Sequence, residues 1–282
     1  VENGPFYLVE NGITIKAKDS VLVGAQAMLN GITYTLVSDS LIQEIKGQGW
    51  SDNSFINDSC QIVTSLVRDM SYLFDYASSF NQDISSWDVS NVTNMSGLFR
   101  GAESFNQDIS GWNTAAVTNM NYMFSNADFN QDISGWNVSN VTSMQQMFQS
   151  ATFFNQNIDS WDVSSVTTMH LMFMSADNFN QNLNGWNVSS VTDMTQMFYS
   201  APAFNGNISS WNVSSVTNMS IMFGSTSFNQ DISGWDVSNV WRFTGMFENA
   251  INFNQDLNSW EILSSGAQMS RMFNGASSFN DS

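Results

Sequence analysis

The chain has 282 residues, 25 acidic against 7 basic, and a formal net charge of −18. Its cations are Lys16, Lys18, Lys46, Arg68, Arg100, Arg242 and Arg271, so the long middle stretch has nothing to meet phosphates, which excludes nucleic acid and anionic lipid as partners. Charged residues make up 11% and aromatic residues 13%, which suits a packed core, and no apolar run approaches the roughly 20 residues of a membrane span.

Residues 1–54 read as a small β-rich capping segment. Asn11-Gly12 and Asn30-Gly31 each precede alternating β-branched residues, a strong hairpin signal, and "SLIQEIKGQG" reads as a short helix ending at glycine. Such a segment is expected to cover the first repeat, where an open end would expose core and unpaired backbone.

A repeat follows. Trp87, Trp112, Trp136, Trp161, Trp186, Trp211, Trp235 and Trp260 mark eight full units over 80–278, with a degenerate unit at 55–79 and the start of a ninth at Phe279. The chain begins at Val1 and stops within that copy, so it reads as a piece of a longer protein, acting as a single chain. Within a unit, Ile84-x-x-Trp87-x-Val89-x-x-Val92 alternates over Trp87–Ser90 as a short strand would. Met95, Leu98, Phe99 and Ala102 then have helical spacing, with Thr93 placed as the N-cap. The expected fold is therefore an α/β solenoid: a leucine-rich-repeat-like series of about 25-residue strand–short helix units with a parallel sheet, capped by the β-rich segment.

The string "FNQDISGWDVSNVTNMxxMF" resembles the DUF285 repeats of the BspA-like surface proteins, which are grouped with leucine-rich repeats. The resemblance spans about Phe55 to Ser282. It implies a cell-surface or secreted protein, bacterial in origin, with roles in adhesion to host proteins or neighbouring cells, and no enzyme chemistry. It carries over no defined binding residues.

Candidate chemistry is thin. The position after FNQ reads Asp83, Asp108, Asp132, Asn157, Asn182, Asn207, Asp231 and Asp256, and Asp–Asn exchange argues against a general acid. What the two residues share is a carbonyl-type acceptor for backbone N–H. Calcium on Asp83, Asp108 and Asp132 is the sharper alternative, but no calcium-loop motif accompanies them, so no cofactor is expected. His170 is the only histidine, at a position that is Ser, Asn, Gln or Thr elsewhere, and reads as a solvent-facing spectator; Cys60 is the only cysteine and excludes an intrachain disulfide. Methionines fall on core positions.

The second residue of each full unit, from Asn81 to Asn254, is always Asn and reads as a column of amides bonding the adjacent unit. The expected ligand face is the solvent side of the sheet. It is lined by Ser85, Ser86, Asp88, Ser90, Asn91, Asn113, Asn137, Ser139, Asn140, Asp162, Ser164, Asn187, Ser189, Asn212, Ser214, Asp236 and Ser238. Ranked hydroxyls and amides suit repeated hydrogen bonding to a glycan or a surface protein, with avidity from many copies. A passive spacer needs no such ligand, and a regular Ser/Thr/Asn face also admits ice binding, testable by thermal hysteresis.

Overall fold

The computed structural model describes residues 4–47, 61–263 and 265–280. Cys60, the first residues of the degenerate unit and the ends of the capping segment lie outside them. In the capping segment β1 (Phe6–Leu8) pairs antiparallel with β2 (Ile15–Ala17), and β3 (Gln26–Leu29) pairs antiparallel with β4 (Ile32–Leu36). Asn30 and Gly31 join the second pair with φ of +52° and +83°, the left-handed pair that matches strand twist. Helix α1 (Asp39–Gly47) follows, and β4 then pairs in parallel with β5 (Ile62–Val63). Phe6, Ile15, Leu29, Leu36 and Val63 bury a small core, while Val37 and Ile42 join the main core of the repeats.

The repeats correct the expected fold. Among the described residues they hold no helix, no strand beyond β5 and no parallel sheet. Units meet in parallel through single-residue bridges, Asp69 to Asn94, Asn94 to Asn119, Asn119 to Ser143 and onward to Gln268. The stretch expected as a strand is a pair of turns: the Trp87 N–H donates to the Ile84 carbonyl at 3.0 Å and the Val92 N–H to that of Val89 at 2.9 Å. The stretch expected as a helix is a run of turns in which the N–H groups alternate. Leu98, Arg100 and Ala102 donate three residues back, at 3.2, 3.1 and 3.1 Å. Met95, Gly97, Phe99 and Gly101 donate instead to Asn119, Asn121, Met123 and Ser125 of the next unit, at 2.7–3.0 Å. Half of the donors a helix would need are thus spent between units.

The backbone reaches that arrangement by turning left-handed at every fourth residue. Tyr72 and Tyr76, Tyr122 and Asn126, Gln146 and Ser150, Leu171 and Ser175, Gln196 and Ser200, and Ile221 and Ser225 all have φ between +53° and +60°. Thr93 caps nothing; its N–H and hydroxyl both donate to the Arg68 carbonyl of the preceding unit, at 2.8 and 3.3 Å.

Side chains complete the contact between units. Phe74, Phe99, Phe124, Phe148, Phe173, Phe198, Phe223, Phe247 and Phe273 form a column with ring centroids 5.4–5.9 Å apart. The indoles of Trp112, Trp136, Trp161, Trp186, Trp211, Trp235 and Trp260 each donate Nε1–H to the Ile or Leu carbonyl of the unit before, as Trp161 does to Ile133 at 3.0 Å. Methionines such as Met120, Met144 and Met169 are buried among them. No helix among the described residues is long and apolar enough to cross a membrane.

Candidate functional site

Each unit carries up to three turns closed by an Asp or Asn side chain, all of one design: Oδ1 accepts the backbone N–H two residues on. After FNQ, Asp83, Asp108 and Asp132 accept from Ser85, Ser110 and Ser134 at 2.9 Å, and Asn157 accepts from Asp159 at 3.0 Å. After Trp, Asn113, Asn137, Asp162, Asn187, Asn212 and Asp236 accept at 3.0–3.2 Å. At the bridge position Asn94, Asn119, Asp193 and Asn218 do the same at 2.9–3.1 Å. Only Oδ1 is required, which is why Asp and Asn exchange freely.

These bonds hold several carboxyls below the usual carboxylate range. Asp108, Asp162 and Asp236 are lowered first by the hydroxyls of Ser110, Ser164 and Ser238, and then by the backbone N–H of the same serines. For Asp132 and Asp231 the backbone N–H of Ser134 and Ser233 comes first. No group of three or more metal-ligating side chains occurs among the described residues.

The Asn at the second position of each full unit uses Oδ1 across the unit boundary. Asn81 accepts the N–H of Asn106 at 3.0 Å, Asn106 that of Asn130 at 2.9 Å, and the series runs to Asn254 and Asn280. A partner absent from the sequence reading is Gln. Gln107, Gln156, Gln181 and Gln255 each send Nε2–H back to the carbonyl and Oδ1 of the preceding unit's Asn, at 2.9–3.0 Å. The signal was present, since Gln occupies the third position in seven of eight units. An Asp here would place a column of carboxylates at successive units, and like charges so close are costly.

The expected ligand residues stand on turns and not on a sheet. Ser139, Ser164 and Ser214 send their hydroxyls to the Oδ1 of Asn137, Asp162 and Asn212 at 2.6–2.7 Å. Asn91 and Asn140 donate Nδ2–H to the Ser65 and Ala115 carbonyls at 2.8 Å. Ser189 and Ser238 give their N–H groups to turns, as Ser85 does. Asn113, Asn137, Asp162, Asn187, Asn212 and Asp236 are themselves exposed, and their turns engage only Oδ1. The column runs Asp88, Asn113, Asn137, Asp162, Asn187, Asn212, Asp236 and Glu261, so only the last two place carboxylates in successive units. A neighbouring column of exposed threonines, Thr93 to Thr217, donates each hydroxyl to the preceding unit's carbonyl at 3.2–3.3 Å.

The first full unit is the exception. Strand β2 lies over it: the Ile15 N–H donates to the Ser86 carbonyl at 3.0 Å, and Lys16 Nζ donates to Ser90 Oγ at 3.2 Å. Asp88 is only 3% exposed, with Lys16 Nζ 3.4 Å from its Oδ2. The face open to solvent therefore begins at Asn113. Elsewhere, His170 is half-buried, not fully solvent-facing, with Nδ1 3.9 Å from Asp193 Oδ2. Arg100 pairs with both oxygens of Asp75 at 2.6 and 2.8 Å between the rings of Tyr72 and Tyr76.

The chain belongs to the DUF285 family, described as a Mycoplasma protein of unknown function, whose family model matches residues 48–152, 124–203 and 182–282. No curated protein and no solved structure matches it.

Proposed function

We propose that this chain is a recognition module of a cell-surface or secreted bacterial protein, binding a repetitive glycan or a surface protein through the ranked face that begins at Asn113. The observation that supports it is the row of exposed amides and carboxylates, each fixed by its turn, in six successive units from Asn113 to Asp236. Fixed donors and acceptors lose little entropy on binding, so weak contacts add along a periodic partner. The role is one of binding, not catalysis.

The test is retention on immobilised polysaccharides and matrix proteins by the full chain and by a chain ending at Asn178. Halving the open face is expected to weaken binding more than tenfold, roughly the scale of avidity from linked sites. Raising the salt is expected to do little, since few ion pairs are available to screen. A spacer role is the second reading. It is favoured by the fact that most polar groups of the face already serve their own backbone, and it predicts no retention at either length.

A further inference from the structure

Beneath the β1–β2 hairpin, where it rests on the first full unit, lies a cavity of about 250 Å³. Asn11, Thr14, Lys16, Asp88, Gly111 and Asn113 are among its lining residues, with Val9, Trp87 and Val89 supplying apolar wall. It continues onto the exposed face through Gly111 and Asn113. We propose that this cavity is a site for one neutral sugar ring, holding the end of a glycan whose remaining units lie along the face.

Three observations carry the assignment. First, Asp88 is buried, its Oδ1 accepts the Ser90 N–H at 3.1 Å, and its Oδ2 has the Lys16 ammonium 3.4 Å away as an ion pair but accepts no hydrogen bond. A buried carboxylate oxygen left in that state gains from a hydroxyl donor. Second, Lys16 balances Asp88, so the cavity is neutral overall; an anion would face the carboxylate and a cation the ammonium. A polyol with both donors and acceptors suits the pair, and Asn11, Thr14 and Asn113 add amide and hydroxyl groups. Third, the volume is below the roughly 300–1,000 Å³ of a drug-sized site, which suits a single ring.

The inference rests on the glycan form of the reading above, and the experiment separates the two. Saturation-transfer NMR on the full chain would use free neutral hexoses and N-acetylhexosamines as probes, with melting curves recorded for every variant. A Cβ at Gly111 meets nothing within 4 Å, and the same holds at Gly234 on the open face. Gly111→Phe therefore obstructs the cavity with little effect on packing, and Gly234→Phe is its control. At least one sugar is expected to bind the wild type and Gly234→Phe alike, and to bind Gly111→Phe at least about tenfold more weakly. If Gly111→Phe fails to fold, Asp88→Asn replaces it, keeping the turn acceptor but removing the carboxylate; the same loss is expected. No signal from any sugar, or a signal that survives both variants, overturns the site. Polymer retained by a chain that binds no free sugar would refute the cavity and leave the face standing. Free sugar lost in Gly111→Phe, with polymer bound no better than monomer, would refute the face and leave the cavity.

Discussion

Asp162 receives the Ser164 backbone N–H at 3.1 Å and the Ser164 hydroxyl at 2.6 Å while standing in solvent. Asp162→Ala removes that acceptor and is expected to cost about 0.5–1 kcal/mol, the net worth of an ordinary hydrogen bond. Asp162→Asn keeps Oδ1 and should melt only slightly below wild type at neutral pH. Because the Asp162 carboxyl is lowered in the folded state, its advantage over Asn is present above the ordinary carboxylate value. That advantage should vanish as pH falls below about 4, which paired melting curves at neutral and acid pH would show. A second residue-scale prediction concerns the left-handed positions. Ser175 has φ of +56°, so Ser175→Gly should raise stability by up to about 1 kcal/mol. Gly101→Ala should lower it clearly, since φ is +67° and its Cβ would stand 2.5 Å from Tyr76 Cδ1. Denaturant titrations of the two variants, moving in opposite directions, check the account. The Asp–Asn exchange was legible in the sequence because eight copies in one chain display it; the Gln clamp was present in the same letters and passed unread.

Between units, the Trp column is where packing and polar contact coincide. Trp161 is 2% exposed and gives its Nε1–H to Ile133. Trp161→Ala should cost about 3–5 kcal/mol, the usual range for an aromatic cavity, and lower the melting temperature; a mutant melting with the wild type would place the indole outside the core. The buried positions were read correctly from spacing, yet the elements that carry them were not. Met95, Leu98, Phe99 and Ala102 face inward in a helix, and they also face inward in turns that reverse hand at Gly97 and Gly101. Side-chain periodicity cannot separate those cases, because the difference lies in where each backbone N–H goes. The scatter of Gly, Ser and Asn at the left-handed positions was the one local sign against a helix, and Tyr122, Leu171 and Ile221 at the same positions obscured it.

Across the whole molecule, the capping segment does more than close an end. Its hairpins were legible from Asn-Gly, but its reach over Ser86, Asp88 and Ser90 was not, because it depends on contacts between β2 and a unit about 70 residues away. The bonds that cross from unit to unit have a mechanical consequence. Every second N–H group of a turn run points at the neighbouring unit, so tension between the chain ends loads these bonds in opening mode, one boundary at a time. Each boundary that gives way frees a unit of about 25 residues, or about 80 Å of contour at full extension. Pulled from its ends by an optical trap, the chain should lengthen in near-equal steps of that size as the terminal unit peels and the next is exposed. A protein so built would yield gradually under a drag force, dissipating it unit by unit while the units still in contact keep their grip.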